Sequence, residues 1–280
     1  MGTAQGSASG SGRSASPGAG GVVSRPGLFG RLGAARVTVL SAPAGSGKTV
    51  LLRSWIGEAA LAERAAWVPV ARGERDPQRF WLSVLGALRQ TAPGSGLVRE
   101  LTAAPDLDGW AIVERLLKDL AALEDRLWLV VDDVHELGSA EALRQLELLL
   151  MRAPPELRFV LATRHDVRLG LHRLRLQGEL TEIRADDLRF TLGEARALFQ
   201  GAGVELPEPA LALLHERTEG WAAGLRLAVL SLPGHGAVRG RVLRQRADGG
   251  GVPAGRGAGA AERAGAAAAA ADLGAGAGQR

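Results

Sequence analysis

The sequence predicts an α/β fold, a parallel β-sheet of about five strands flanked by helices and followed by a small helical lobe. Three observations carry that expectation. Short apolar runs rich in Val and Leu alternate with helical patterns from Val22 to Thr191. Those runs are apolar on both faces, which marks strands covered on each side by crossover helices. After Thr191 the strand-like runs stop while helical periodicity continues.

Each element has a local signal. Residues 1–21 are rich in Gly, Ser and Ala and read as a disordered leader. Residues 36–41 (RVTVLS) are a buried strand, 42–46 a turn and 47–58 a helix. Residues 65–70 (AAWVPV) form the second strand. Asp76 as N-cap and Pro77 at the first helical position open a helix over 77–90. Residues 110–123 are amphipathic, with Ile112, Leu116, Leu117 and Leu120 on one face. Residues 127–131 (LWLVV) are an uninterrupted apolar strand closing on two aspartates. A helix over 140–151, a strand over 157–162 (LRFVLA) and a short strand over 180–184 complete the sheet. Three helices, 192–201, 207–216 and 221–232, make the lobe. The expected organisation is therefore a leader at 1–21, an α/β domain at 22–191, a truncated helical lobe at 192–232 and a low-complexity tail at 233–280.

Composition narrows the class. With 280 residues and 46% hydrophobic side chains, the chain can bury a real core. It has no cysteine, which excludes disulfides and thiolate metal sites. Neither a signal peptide nor a membrane-length apolar run is present, so a cytoplasmic protein without a membrane partner is expected. The net charge of +4 lies entirely in residues 234–280, where seven Arg face three acids. A neutral globular part with a basic Gly-rich tail is not the charge footprint of a DNA-binding domain.

The chemistry concentrates where strands end. Residues 42–49 (APAGSGKT) lie between a strand and a helix, the setting of a P-loop. Pro43, Ala44, Gly45, Ser46, Gly47, Lys48, Thr49 and Val50 form the expected phosphate cradle. Small residues let successive backbone N–H groups wrap an anion at the positive end of the following helix. Lys48, one of only two lysines among 34 basic residues, would reach the β- and γ-phosphates. The Thr49 hydroxyl would bind Mg²⁺. Ala42 stands where the motif usually has its first Gly. Asp132 and Asp133 end a strand facing the same crevice; Asp132 would hold Mg²⁺ and Asp133 would orient the attacking water. Arg164 ends the neighbouring strand, where it could sense the γ-phosphate or simply cap the strand. His135 is expected as a solvated loop histidine, and Trp221 as core packing.

Taken together, these motifs resemble the large ATP-binding LuxR-type regulators, the MalT-like branch of the STAND NTPases. The residues that carry the resemblance are 41–52 (SAPAGSGKTVLL), 76–81 (DPQRFW), 130–135 (VVDDVH), 161–166 (LATRHD), 180–191 (LTEIRADDLRFT) and 218–232 (TEGWAAGLRLAVLSL), in the family's order over roughly 22–232. The resemblance implies ATP/ADP and Mg²⁺ as ligands, adenine contacts from Val23, Arg25 and Pro26, and a sensor role for Arg164. It also implies a switch: ATP binding favours a self-associating state that activates transcription, and slow hydrolysis resets it. The family's sensor repeats and helix-turn-helix lie outside these motifs, so no specific DNA binding is expected of this chain. The alternative is a free-standing P-loop ATPase or nucleotide-dependent kinase. A kinase would need a basic lid that the helical lobe does not offer.

The tail raises a separate expectation. Family-like register stops after Leu232 and gives way to Gly, Ala and Arg, the residues expected from GC-rich DNA read out of frame. One permitted back-translation of residues 248–263, shifted by one base, reads TVAEYLLAEVLERQ, an amphipathic helix. A plain low-complexity linker is the other reading.

Overall fold

A computed structural model describes residues 22–99 and 108–232. The leader and the tail, with its suspected frame shift, lie outside the described residues.

Five parallel strands form one sheet: β1 (Val37–Ser41), β2 (Ala65–Pro69), β3 (Leu127–Asp132), β4 (Leu157–Thr163) and β5 (Leu180–Arg184), in the order β2-β3-β4-β1-β5. β4 sits between β1 and β3. The register pairs Ser41 with Thr163 and Val131 with Leu161. The carboxyl ends of these three strands therefore share one edge, and the loops that leave them open into one crevice.

Helices α1 (Pro26–Leu32), α2 (Lys48–Glu58), α3 (Pro77–Arg89), α4 (Ala92–Leu97), α5 (Gly109–Asp119), α6 (Ala140–Arg152) and α7 (His172–Leu176) surround the sheet. The expected apolar run of β3 is buried on both faces, and its side chains divide by the period of two. Leu127, Leu129 and Val131 join one core with α3, α5 and α6, whereas Trp128 and Val130 join another with α1 and α2. Trp55 of α2 meets Trp128 edge-on at 4.8 Å between ring centroids. In the first core Trp81 donates its indole N–H to the fully buried Gln145 at 2.7 Å, so the one polar side chain of α6 that enters the core is partnered.

Asp76 caps α3 as expected, accepting from the backbone N–H groups of Gln78 and Arg79. The helix expected to run to 123 instead ends at Asp119 and tightens into a 3₁₀ turn, Leu120–Ala122. Three helices, α1, α4 and α7, were not legible in the sequence. They are 7, 6 and 5 residues long, α1 and α4 carry two Gly each, and none spans two full periods.

Beyond β5, α8 (Leu192–Gly201), α9 (Glu208–Thr218) and α10 (Ala222–Ser231) enclose a third core of Ala195, Leu198, Phe199, Val204, Leu211, Leu225 and Val229. Thr191 and Glu194 close a reciprocal capping box at the start of α8, a T-x-x-E signal present in the sequence.

Candidate functional site

Between β1 and α2 the backbone turns through two left-handed glycines, Gly45 at φ +80° and Gly47 at φ +85°. Gly47 caps α2 without any side chain, so no side-chain oxygen occupies the amide groups that begin this helix. Lys48 folds back over the loop. Its ammonium donates to the carbonyls of Ala42 at 2.6 Å and Pro43 at 3.0 Å, and the side chain is buried. Burial holds its pKa below the ordinary lysine value, against the opposing pull of Asp133 and Asp132.

Across the crevice Thr49 donates its hydroxyl to Asp132 Oδ2 at 2.9 Å. Burial pushes the Asp132 carboxyl up, opposed by the Thr49 hydrogen bond. These two oxygens fit a magnesium ion, which takes one or two protein oxygens and fills its remaining positions with water and phosphate. Among the described residues, no group of three His, Cys, Asp or Glu is placed to hold a metal ion.

Asp133 adopts a left-handed backbone, φ 59° and ψ 41°, which is uncommon for a residue with a side chain. Its amide donates to Asp132 Oδ1 at 3.1 Å. Arg164, at the end of β4, brings Nε to 4.0 Å from Asp133 Oδ1 while remaining half exposed. Thr163 fixes the following turn by donating to the His165 carbonyl at 2.7 Å. Lys48, Thr49, Asp132, Asp133 and Arg164 thus converge on one edge of the sheet from three different strands.

A cavity of about 340 Å³ adjoins the loop. Gly45, Ser46 and Gly47 form one wall; Val22, Val23, Val50 and Phe190 make it apolar further out, and Ala222, Ala223 and Arg226 of α10 close it. Val23 therefore lines this cavity. Pro26 does not line this cavity; it is exposed at the first position of α1. Arg25 touches the cavity, but its guanidinium is committed elsewhere. It donates to Glu194 at 2.9 and 3.1 Å and to the carbonyls of Leu188 and Arg189, and it lies over the Phe190 ring. Few donors remain for a ligand, so its part at the cavity wall is packing. Pro43 and Ala44 are exposed on the outer side of the loop.

Two sequence expectations are corrected. His135 is not a solvated loop histidine: its side chain is 7% exposed, and neither ring nitrogen has a hydrogen-bond partner. Trp221 is not part of the lobe core. Its indole lies against the phosphate loop, with Nε1 3.3 Å from the place a Cβ on Gly45 would take, and the next turn of chain donates the Ala223 amide to the Gly45 carbonyl at 3.0 Å. The run Ala222, Ala223, Gly224 is the sequence signal for this contact, because only small side chains allow such approach of a helix to a backbone. For His135 the sequence offers no such signal; its burial comes from the packing of two loops.

A family model described as an AAA domain matches residues 31–169. The HTH-type transcriptional regulator MalT of Cronobacter sakazakii is 31% identical over 199 residues, covering 70% of this chain and 22% of the relative. The chain belongs to the MalT-like P-loop NTPases. The serine/threonine-protein kinase PknK of Mycobacterium tuberculosis is 32% identical over 208 residues, 73% of this chain and 19% of the relative. This MalT-like domain thus spans about a fifth of the length of the curated relatives it matches. A STAND protein with a tetratricopeptide repeat sensor from Pyrococcus horikoshii aligns at TM-score 0.49 and 17% identity, over 78% of this chain and 32% of that one. No described helix is long and apolar enough to cross a membrane.

Proposed function

We propose that this P-loop domain is the ATP-binding, slowly hydrolysing switch of a LuxR-type transcriptional regulator. The observation that supports this reading best is the contact of α10 with the phosphate loop, the Ala223 amide on the Gly45 carbonyl at 3.0 Å. It makes the nucleotide cavity a joint between the sheet and the lobe, so whatever fills the cavity bears on where the lobe sits.

The roles follow from position. Lys48 leaves its loop carbonyls for the β- and γ-phosphates, and the uncapped start of α2 receives the phosphate charge. Thr49 and Asp132 hold Mg²⁺, which when bound neutralises phosphate charge. Asp133 orients the attacking water, Arg164 stabilises charge on the γ-phosphate, and Val23 and Val50 give the base an apolar wall. The domain boundary at Thr191, self-association in the ATP state, a cytoplasmic location and the absence of specific DNA binding by this chain belong to the same proposal.

Calorimetric titration of the purified chain with ATP and ADP, with and without a magnesium chelator, tests it. Magnesium-dependent ATP binding with slow turnover is the expected result. Absent nucleotide binding overturns it, and rapid turnover stimulated by a small metabolite would favour the kinase alternative.

A further inference from the structure

The sheet is left partly uncovered at its middle. β1 lies between β4 and β5, yet its central residue Val39 is only half-buried, whereas every apolar side chain of β3 and β4 is buried. Val39 faces the core of α3, α5 and α6, on the side of the sheet opposite α2. Over β1 and β5 on that side stand the five-residue α7, anchored by the buried Leu174, and the loop 166–171 that leads to it. Between them and the sheet lies a cavity of about 240 Å³. Its floor is apolar: Val39, Leu161 beside it in register, and Val134, with Leu169 and Leu171 closing it from the loop.

The rim of this cavity is charged and ordered. Glu182 of β5 pairs in register with Val39 and so stands on the same face of the sheet. Its Oε2 accepts from Arg175 Nε at 3.2 Å and Nη2 at 2.9 Å, and its Oε1 from Arg184 Nη2 at 2.8 Å. Arg184 Nη1 donates in turn to Asp166 Oδ1, which also accepts from the Ser41 hydroxyl at 3.2 Å. Two cations and two anions therefore alternate and cancel. Among the described residues, Arg175 Nη1, Arg184 Nε and Asp166 Oδ2 have no hydrogen-bond partner. The network thus offers two charged donors and one charged acceptor beside an apolar floor.

We propose that this cavity binds a small apolar α-amino acid of about the size of leucine. The ligand carboxylate accepts from Arg175 Nη1 and Arg184 Nε, its ammonium donates to Asp166 Oδ2, and its side chain lies on Val39, Leu161 and Val134. A zwitterion suits the rim better than a simple anion. A network of zero net charge exerts little pull on one sign, but it meets both ends of a ligand that carries both. The volume agrees, since pockets for drug-sized ligands run to about 300–1,000 Å³ and this one is smaller. Burial of the side chain supplies affinity, and the charge-assisted bonds supply orientation. The cavity shares no lining residue with the nucleotide cavity, so the proposal does not depend on the nucleotide reading. Val134 and Thr163 are nonetheless the chain neighbours of Asp133 and Arg164, and an occupant rests against the strand ends that carry them.

Calorimetry of the full chain without nucleotide tests it. The probes are L-leucine and two analogues that each lack one charge, L-leucinamide and 4-methylpentanoate. L-leucine should bind at millimolar concentration or below, and each analogue about ten-fold or more weakly, the loss of a charge-assisted hydrogen bond. Asp166→Asn keeps an oxygen for Ser41 and Arg184 but removes the charge that meets the ammonium. It should weaken L-leucine by a similar factor and leave 4-methylpentanoate no weaker than with wild type. Val39→Phe fills the floor and should abolish binding of both, with the thermal midpoint reporting whether the variant is folded. Absence of L-leucine binding overturns the proposal. Equal binding of 4-methylpentanoate, which would mark a plain carboxylate site, also overturns it, as does equal binding of L-leucinamide. Unchanged affinity in a folded Val39→Phe places the ligand elsewhere and removes the assignment. Asp166 is exposed, so its variant decides the matter should Val39→Phe fail to fold. Loss of ATP binding by the wild type would bear on the nucleotide reading alone.

Discussion

Thr49 and Asp132, 83 residues apart in the chain, share a hydrogen bond of 2.9 Å across the crevice between β1 and β3. It brings together two oxygens of the kind a hydrated divalent cation takes, and it does so around a carboxyl that burial pushes above its ordinary pKa. A carboxyl with a raised folded pKa binds its proton more tightly in the folded state than in the unfolded one. Its contribution to stability is therefore present at low pH and is lost as pH rises from the ordinary carboxylate value through the raised one. Asp132→Asn removes that charge and leaves an amide able to pair with both Thr49 and the Asp133 amide. The thermal midpoint of the nucleotide-free protein should rise at neutral pH, and the gain should vanish below about pH 4, the ordinary Asp range. Magnesium-dependent ATP binding should weaken in the same variant. A lower midpoint at neutral pH would contradict the assignment of Asp132 as a charge kept for the metal at a cost to the fold.

Lys48 makes a similar bargain with the opposite sign. Its pKa is held down by burial, so its ammonium costs the folded state while charged, and the cost is relieved as pH rises from the lowered value toward that of free lysine. Its hydrogen bonds to Ala42 and Pro43 offset part of that cost. Lys48→Ala should leave the thermal midpoint near wild type and abolish ATP binding in calorimetry. Retained affinity would show that phosphate is bound elsewhere.

Gly45 tests the joint between loop and lobe. A methyl group there would stand 2.9 Å from the Ala223 Cβ on a backbone at φ +80°. Gly45→Ala therefore carries a left-handed penalty of about 1–2 kcal/mol and pushes α10 off the loop. Faster proteolysis within α10 and a lower urea midpoint are expected, with Gly45→Ala/Ala223→Gly recovering the steric part only. Equal protease resistance in wild type and Gly45→Ala would mean that the contact is incidental.

The parts of this architecture legible in the sequence are those where one physical demand acts alone. β3 is written as six apolar-to-acid residues because both its faces are covered, and the glycine turn before Lys48 is written in small residues because a backbone must curl there. The helix α1 was not legible because Gly27 and Gly30 weaken its own propensity; Leu28 and Leu32, packed in the α2 core, hold it instead. Trp221 and His135 were misread for a related reason. Their environments are made by segments far along the chain, the phosphate loop for Trp221, and Glu136 with the His165 turn for His135. Arg25 likewise takes its partners far along the chain, Glu194 and the carbonyls of Leu188 and Arg189.

That Arg25–Glu194 pair joins the segment before α1 to the start of α8, and its strength can be measured. The guanidinium is 8% exposed and the carboxylate 24%, with contacts at 2.9 and 3.1 Å. For Glu194, burial alone would raise the pKa; the Arg25 hydrogen bond and the Thr191 amide outweigh it and leave the carboxyl below its ordinary value. Its contribution to stability is thus present above the unfolded glutamate pKa and is lost as pH falls through the folded one. Arg25→Met strands a half-buried carboxylate and two carbonyls, so a loss of about 3–5 kcal/mol is expected in urea denaturation at neutral pH. Arg25→Lys should recover little, because a single ammonium cannot meet the forked geometry of four acceptors. Glu194→Gln alone loses the charge but keeps the Thr191 cap partly satisfied. Arg25→Met/Glu194→Gln should be less damaged than the sum of the two single variants, since no unpaired charge remains buried. The acid dependence of the Arg25→Met protein should also flatten in the carboxylate range, where the wild type loses stability. Strict additivity in the cycle, with an unchanged acid limb, would show that the two side chains are neighbours without being coupled.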